Sequence, residues 1–359
     1  MKSAEHFAQR AAKRRAQAQD FDPNGLAAPG QVYGLPYTED SAEVILLPVP
    51  WEVTVSYASG TAQGPEAMRE ASSQVDLYDP SVKDAWKLGV WMAPQDAKLA
   101  AKSDRNRERA EAYIEALSEG LPMQKMAKHL EKIEAACAFM NEWVAQKTTH
   151  YLDQAQLVAL VGGDHSTPLG YIRTLAERHP GMGILQWDAH MDLRMAYEGF
   201  TYSHASIMYN AMQHPSIAKL VQVGIRDYCE EELAVMAQLG DRISVFFDRD
   251  LKQAQFKGAT WSQQVAQVVD ALPKEVYLSV DIDGFDPKLC PHTGTPVAGG
   301  FGIEEFLYLV EEVLASGRTL VGLDLNEVAP GPDGDWDANV GSRLLYRLCN
   351  LLGQSNGRL

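Results

Sequence analysis

The chain has 359 residues and a formal net charge of −16, which argues against a basic nucleic-acid surface or attraction to an anionic membrane. Its four cysteines, at positions 137, 229, 290 and 349, form no CxxC pair, and its longest apolar runs are strand-sized. We therefore expect a cytoplasmic protein with reduced thiols, a sizeable core and no membrane span.

The first forty residues are predicted to form an N-terminal arm. The first twenty are rich in Arg and Ala and resemble a transit peptide, but Glu5 and Asp20 argue against that interpretation. We expect a short amphipathic helix that packs on this subunit or a neighbour, followed by a Pro/Gly-rich strap from Asp22 to Pro36.

Residues 41–359 are predicted to form a single α/β domain. Eight short runs rich in Val, Ile and Leu read as buried strands: Val44–Val49, Lys87–Met92, Gln156–Val161, Met182–Trp187, Leu220–Ile225, Ile243–Phe247, Val276–Val280 and Thr319–Asp324. Segments of helical period lie between most of them: Gly64–Gln74, Thr167–His179, Glu230–Leu239, Trp261–Leu272 and Ile303–Ser316. This alternation predicts a three-layer α/β/α fold around a mainly parallel eight-stranded sheet.

The region at about 95–154 interrupts this alternation. It carries two long helical patterns, Lys102–Ser118 and Met123–Gln146, with no strand between them. We predict a helical insertion in the domain.

Ligands of open parallel sheets lie beyond the carboxyl ends of the strands, so the residues there carry the functional signal. After the third predicted strand, Gly162 and Gly163 permit a tight turn that leads to His165. Taken alone, this is a weak signal, because a lone histidine is more often a structural or helix-capping residue than a metal ligand.

The fourth predicted strand is followed by Asp188, His190 and Asp192, whose spacing puts three side chains on one face of extended chain. Burying them together is costly without a cation, although a solvated polar loop is an alternative. Asp281 and Asp283 repeat the pattern after the seventh strand, where the alternative is an Asp-Gly turn with capping acids.

Six groups are too many for one zinc ion. The set of four Asp and two His is hard and anionic, which favours two divalent ions. We expect manganese, with nickel as the alternative; cobalt and iron stay possible. Two such ions sharing carboxylates would lower the pKa of a water.

These motifs resemble the ureohydrolase family, which includes arginases, agmatinases and formiminoglutamases. The metal signatures correspond to GGDHS at 162–166, DAHMD at 188–192 and SVDIDGFDP at 279–287. Further similar blocks are GTAQGPEAMR at 60–69, GIRD at 224–227, TGTP at 293–296 with Gly299 and Gly300, and DLNEVAP at 324–330. The match runs from about residue 44 to 350 and implies the arginase-like fold.

The resemblance implies a role for each matched residue. One metal would be bound by His165, Asp188, Asp192 and Asp281, and the other by His190, Asp283 and the shared Asp188 and Asp281. Glu327 would hold the substrate guanidinium, and His204 would relay protons unless it is an ordinary loop histidine.

The mechanism implied is attack of a metal-activated water on the guanidinium carbon. The two metals, with Asp192 or Asp283, would stabilise the tetrahedral intermediate, and the amine would leave after protonation through Asp192 or His204. We therefore predict Asp192, His204, Asp283 and Glu327 as catalytic residues. The products would be urea and an amine, or formamide from a formimino compound.

Substrate contacts are predicted at Arg194, Asp227, Thr295 and Glu327. Arginases place an Asn and an Asp where this chain has Arg194 and Cys229, which argues against arginine as the substrate. We expect a small cationic substrate, either agmatine-like or a simple or alkylated guanidine. Arg194 resembles the formiminoglutamase pattern, where it would hold a substrate carboxylate, so formiminoglutamate is an alternative substrate. Alternatively, Arg194 has no substrate role and forms a salt bridge to a loop acid such as Glu198.

Aromatic residues in loops near the expected cavity offer a further possibility. They would box an alkylated cation by cation–π contact or would simply pack. They are Trp51, Tyr57, Tyr197, Phe200 and Tyr202.

Other classes fit less well. A non-catalytic metal-binding subunit would be expected to have lost ligands, and all six are present. A binuclear phosphoesterase would be expected to add cationic groups or a Gly-rich loop that binds phosphate, whereas this site is rich in acids. A Rossmann fold is also not indicated, because no GxGxxG motif follows a predicted strand. The resemblance implies that the partners are copies of the same chain, in a homotrimer or homohexamer.

Overall fold

The computed structural model describes residues 2–332 and 334–359, with side chains from residue 7 onward. Its centre is a sheet of eight strands in the order β2-β1-β3-β8-β7-β4-β5-β6, all of them parallel. The strands are β1 Val44–Val49, β2 Val90–Met92, β3 Leu157–Gly162, β4 Gly183–Trp187, β5 Lys219–Ile225, β6 Ile243–Phe247, β7 Glu275–Asp281 and β8 Thr319–Asn326.

Eleven α-helices occur in the described part of the chain, and they flank the sheet. They are α1 Lys2–Gln19, α2 Gly64–Ala71, α3 Ala97–Ser118, α4 Ala127–Asp153, α5 Leu169–Arg178, α6 Ile207–Met212, α7 Glu230–Leu239, α8 Asp248–Phe256, α9 Trp261–Ala271, α10 Ile303–Ala315 and α11 Trp336–Ser355. Among these residues, no helix is both long and apolar enough to cross a bilayer.

The predicted three-layer α/β/α class is confirmed, and the sheet is entirely parallel. β1 and β6 have the predicted bounds. β2 is shorter than expected because residues 85–88 form a 3-10 turn, and Gly89, at φ +78°, separates this turn from the strand. An L side chain rarely adopts that backbone conformation, so an apolar run alone did not predict where the strand begins.

The N-terminal helix α1 packs against its own chain. Arg10 and Arg14 both form ion pairs with Glu43, which lies just before β1 and is fully buried. Arg10 also donates hydrogen bonds to the carbonyl oxygens of Gln154 and Ala155, 2.8 Å away in each case. The arm therefore attaches to the amino-terminal edge of the sheet.

The segment between β2 and β3 contains the long helices α3 and α4, with no strand between them in the described chain. α4 packs against both α3 and α5. The boundaries of the arm and of the helical insertion stay predictions.

Candidate active site

The candidate site lies where the carboxyl ends of β3, β8, β7 and β4 meet. These four strands are neighbours in the sheet although they are far apart in sequence. A cavity of about 340 Å³ opens at this edge. Its walls include His165, His190, Asp192, His204 and Glu327.

His165 occupies the centre of the first ligand group. Its Nδ1 atom lies 3.0 Å from Asp188 Oδ2, 3.1 Å from Asp192 Oδ2 and 3.3 Å from Asp281 Oδ2. All four residues are buried. Three carboxylate oxygens thus surround this one nitrogen, and those of Asp188 and Asp281 lie closest to a shared ligand position with it.

A second ligand group lies beside it. His190 Nδ1 is 3.0 Å from Asp283 Oδ2 and 3.6 Å from Asp188 Oδ1. The two oxygens of Asp188 therefore face different histidines. His165, Asp188 and Asp281 form one potential metal triad, and Asp188, His190 and Asp283 form the other.

The backbone conformation at Asp192 determines the direction of its side chain. Asp192 has φ +55°, a left-handed conformation that is unfavourable for a non-glycine residue. Its carbonyl oxygen accepts hydrogen bonds from the backbone N–H groups of Met208 and Tyr209, at 3.1 Å each. These contacts hold the chain in the conformation that turns the Asp192 side chain toward His165.

Burial and the repulsion between neighbouring carboxylates raise the pKa values of Asp281 and Asp192, as expected for a site that binds cations. Burial, followed by the charge of Asp283, raises the pKa of Asp281 well above its usual value. Burial and the charge of Asp188 raise the pKa of Asp192 to about 7. Burial opposes a charged His165, yet the carboxylates of Asp188 and Asp192 beside it raise its pKa well above normal.

The chemistry of the donor set fits two divalent ions. His165 Nδ1 is buried and has no hydrogen-bond partner among the described residues, although three carboxylate groups face it. A divalent ion would use this nitrogen and offset the repulsion of the carboxylates. The two triads, which share Asp188, supply carboxylate oxygens and imidazole nitrogens, and these are ligands that divalent ions such as Mn²⁺ or Ni²⁺ accept.

A second layer of polar side chains orients the ligands. His165 Nε2 lies 2.9 Å from Ser279 Oγ, and Ser279 donates a hydrogen bond of 3.1 Å to Asp324. Gln186 Nε2 donates to Asp188 Oδ2 at 2.8 Å. Sequence reasoning missed these residues; the signal was their polarity inside otherwise apolar strands.

Glu327 follows β8 and faces the same cavity. Its Oε1 atom accepts a hydrogen bond of 2.8 Å from the backbone N–H of His165, and its residue is only 4% exposed. Burial and the charge of Asp164 raise the pKa of its carboxyl group well above normal. A cation in the cavity would stabilise the charged form of this acid.

His204 lines the cavity at the start of a short 3-10 turn. Its backbone N–H donates to Thr54 Oγ1 at 3.2 Å, and its Nδ1 atom lies 3.4 Å from Ser203 Oγ. Burial, followed by the charge of His190, lowers its pKa to about 3. The imidazole is therefore neutral at pH 7 in the metal-free protein.

Arg194 also lines the cavity, with its guanidinium carbon 4.7 Å from the centre of the Tyr197 ring. The alternative of a salt bridge to Glu198 is wrong, since Arg194 stacks on Tyr197 and the charge that acts on Glu198 is that of Arg107. Arg194 is thus held in place while its charge stays available.

The interpretation of the aromatic residues as a box is not supported. Trp51 and Phe200 are fully buried in the core, and Tyr202 lies beside Arg173 in a separate groove. Tyr57 is 80% exposed and does not line the cavity. Only Tyr197 of the five lines it, and Arg194 covers its ring.

The remaining predicted substrate contacts lie around the opening. Asp227 is 68% exposed, and its Oδ2 atom is 3.9 Å from His190 Nε2. Thr295 Oγ1 is 3.5 Å from Asp283 Oδ2. Sequence reasoning missed buried Glu232, which accepts backbone hydrogen bonds from Leu193 and Cys229 and so ties two cavity loops together.

Comparisons with known proteins agree with this geometry. The model of the arginase family matches residues 42–350. An N(1)-aminopropylagmatine ureohydrolase from Synechocystis sp. is 26% identical over 88% of this chain and 90% of its own length. The agmatinase of Bacillus subtilis is 29% identical over 88% of this chain and 92% of its own.

Among solved structures, the agmatine ureohydrolase of Thermoplasma volcanium superimposes with a TM-score of 0.68 at 19% identity, covering 96% of this chain and 99% of that one. These likenesses do not favour the formiminoglutamase alternative. The chain belongs to the arginase family and is an agmatinase-like ureohydrolase, a metal-dependent hydrolase of C–N bonds in linear amidines.

Proposed function

We propose that this enzyme hydrolyses the guanidino C–N bond of an agmatine-like compound or of a simple or alkylated guanidine, releasing urea and an amine. The observation that carries the proposal is the pair of ligand triads that share Asp188 beside the carboxylate of Glu327. A planar cation fits between an acid that binds it and ions that activate water.

Six side chains would hold the metals. His165, Asp188, Asp192 and Asp281 would bind one ion, and His190 and Asp283, with Asp188 and Asp281 shared, would bind the other. We propose manganese, with nickel as the alternative, because the donors are hard oxygens and imidazole nitrogens. When bound, two such ions act as Lewis acids and lower the pKa of a water.

Glu327 is proposed to fix the orientation of the substrate. Its Oε1 atom already accepts the His165 N–H, which leaves Oε2 to accept from the guanidinium. Asp192 or Asp283 would help to stabilise the tetrahedral intermediate, and Asp192 or His204 would protonate the leaving amine. His204 lies on the cavity wall, where it would relay this proton from solvent.

The substrate tail is proposed to extend toward Arg194, Asp227 and Thr295 at the opening. Cys229 stands where an arginase has an acid for an amino-acid head, and it lines this cavity. A guanidine without such a head therefore fits best. The likeness to proteins named agmatinase and N(1)-aminopropylagmatine ureohydrolase supports an amine tail or a simple alkyl group.

Quaternary structure and location are proposals too. We propose a cytoplasmic location, since all four cysteines are free thiols. We also propose a homotrimer or homohexamer, as the resemblance to the family implies. We also propose that the chain consists of an N-terminal arm at 1–40 and a catalytic domain at 41–359, with a helical insertion at about 95–154. α1 is attached to its own subunit through Glu43, so the arm does not depend on a neighbour for that contact.

The test is to load the protein separately with Mn²⁺ and Ni²⁺ and assay urea and ammonia. The compounds are agmatine, guanidinobutyrate, arginine, guanidine, dimethylguanidine and formiminoglutamate. We expect metal-dependent turnover of a guanidine without an amino-acid head, lost in Asp283→Asn and kept in His179→Ala, whose side chain pairs with Glu275 outside the cavity. No turnover with both metal sites filled would contradict the proposal and favour a non-catalytic subunit.

A further inference from the structure

The segment Cys290–Pro296 is anchored to the first turn of α11 by one buried carboxylate. Asp337 is 1% exposed. Its Oδ1 atom accepts a 2.9 Å hydrogen bond from the backbone N–H of His292, and its Oδ2 atom lies 2.9 Å from His292 Nδ1. Both oxygens of Asp337 thus bind the same residue of the loop.

The far side of the loop contacts the proposed catalytic acids. A Cβ atom at Gly294 would lie 3.0 Å from Glu327 Oε2, so the backbone at this position covers that carboxylate closely. The next residue, Thr295, places its Oγ1 atom 3.5 Å from Asp283 Oδ2. The position of this loop therefore sets the space available to a guanidinium between Glu327 and Asp283.

Further contacts fix the His292 ring and the approach to it. The ring packs on Gly331, where an added Cβ would lie 2.3 Å from His292 Cε1. Trp336, next to Asp337, donates a hydrogen bond of 3.1 Å from Nε1 to the carbonyl oxygen of Lys288. Cys290 is buried, and burial followed by the charge of Asp337 raises its thiol pKa. The chain thus contacts the first turn of α11 at Lys288, Cys290 and His292, at and just before the start of the loop.

We propose that His292 and Asp337 are positioning residues that hold the loop against Glu327 and Asp283 and so set the width of the guanidinium pocket. This inference rests on the proposed function for its kinetic consequence. The anchoring itself does not depend on the reaction. His292 is a partly exposed side chain, so its substitution leaves the core intact.

The kinetic test compares His292→Ala with His292→Asn in the metal-loaded enzyme. The Asn amide places an N–H donor near the Nδ1 position and so keeps the side-chain contact to Asp337, whereas Ala keeps only the contact made by the backbone N–H. We expect His292→Ala to lower kcat/KM by about 10- to 100-fold, through a raised KM and a lowered kcat, because small misplacements of reacting groups are costly. His292→Asn should recover most of the loss, whereas a purely structural role would change only the thermal midpoint.

The matched control is His179→Ala. His179 forms the same kind of pair, with Nδ1 2.9 Å from Glu275 Oε1, but at the amino end of β7. Its removal should leave kcat and KM unchanged. Equal kinetic constants for His292→Ala and wild type, or a loss that His292→Asn does not reverse, would overturn the proposal.

A second measurement is independent of turnover. Hydrogen–deuterium exchange of the full-length protein should show faster exchange of the amides of residues 293–295 and 297 in His292→Ala and in Asp337→Asn, and not in His179→Ala. Unchanged protection in both variants would overturn the anchoring. If no guanidine is hydrolysed by wild type, the proposed function fails while this experiment still decides whether the loop is anchored as described.

Discussion

His165 Nε2 lies 2.9 Å from the hydroxyl of Ser279, which in turn donates to Asp324. This contact directs the opposite ring nitrogen, Nδ1, at the three carboxylates. We predict that Ser279→Ala lowers metal affinity by about 10- to 100-fold, as is typical when a residue that orients a metal ligand is lost. Isothermal titration calorimetry with Mn²⁺ measures the metal affinity of the variant and of the wild type.

The control for that experiment is Ser342→Ala. Ser342 is also a buried serine, but its hydroxyl donates to the carbonyl oxygen of Met68 on α2, away from the cavity. Metal affinity should be unchanged in this variant. Equal affinities for both variants would show that Ser279 does not orient His165.

The metal-free protein should lose stability as pH rises. Asp192, with a pKa of about 7, and His165 and His190, with raised pKa values, bind protons more tightly when folded than when unfolded. Their stabilisation is complete below the unfolded pKa values and is lost as pH rises through the folded ones. Asp188 has a lowered pKa, so its contribution is lost only in acid, below about pH 4.

Thermal midpoints between pH 5 and pH 8 would check this. We expect the midpoint of metal-free protein to fall across this range. The gap between metal-loaded and metal-free protein should widen, because metal binding displaces protons and so strengthens with pH. A gap that narrows toward pH 8 would contradict the assignment of these side chains as metal ligands.

Glu327→Gln should impair substrate binding without removing metal. The amide oxygen keeps the hydrogen bond from the His165 N–H, but the charge that pairs with a guanidinium is lost. A charge-assisted hydrogen bond contributes about 1.5–3 kcal/mol, so we expect kcat/KM to fall by at least about 10-fold. Steady-state kinetics and metal analysis measure both quantities. Glu275→Gln, outside the cavity, is the control.

Arg194→Ala should change substrate preference. Removing a positive charge from the cavity should raise kcat/KM for agmatine, whose tail is cationic, and lower it for guanidinobutyrate, whose tail is a carboxylate. Arg173→Ala is a matched control, since Arg173 lies over the ring of Tyr202 at 5.9 Å but outside this cavity. An unchanged ratio of the two substrates would place Arg194 away from the substrate tail.

Glu43→Ala should destabilise the fold. The side chain is fully buried between Arg10 and Arg14, and removing one partner of a buried ion pair costs about 3–5 kcal/mol. Denaturant unfolding of the metal-loaded protein measures this. Asp40→Ala is the control, because its pair with Lys13 is exposed and should contribute only about 0–1 kcal/mol. Similar losses in both variants would contradict a special role for the buried cluster.

Local sequence pattern was enough to predict the sheet and the metal-binding motifs. A buried parallel strand is a continuous apolar run, so β1 and β6 were predicted with their observed bounds. The acids at 188–192 and 281–283 stand out because they directly follow such runs. The long helix α11 is not among the predicted helices, although it carries Asp337.

Side-chain contacts between different strands and helices could not be predicted from the sequence, because they depend on strand register and helix packing. Ser279 and Asp324 face each other because β7 and β8 pair in one particular register. The anchoring of His292 by Asp337 joins residues 45 positions apart and depends on how α11 packs. The aromatic box failed for the same reason, because loop proximity in sequence did not determine which rings face the cavity.

The strand order has a consequence for how the protein acquires its metals. Each ligand triad draws on at least two strands, and Glu327 follows a further one, so no local piece of chain contains a complete site. A chain whose central strands have not yet paired holds scattered carboxylates of low affinity. Asp188, His190 and Asp283 come together once β4 and β7 pair, whereas His165 reaches Asp281 only after β8, late in synthesis, has been inserted between β3 and β7. Capture of the ion that uses His165 would therefore mark the end of sheet assembly.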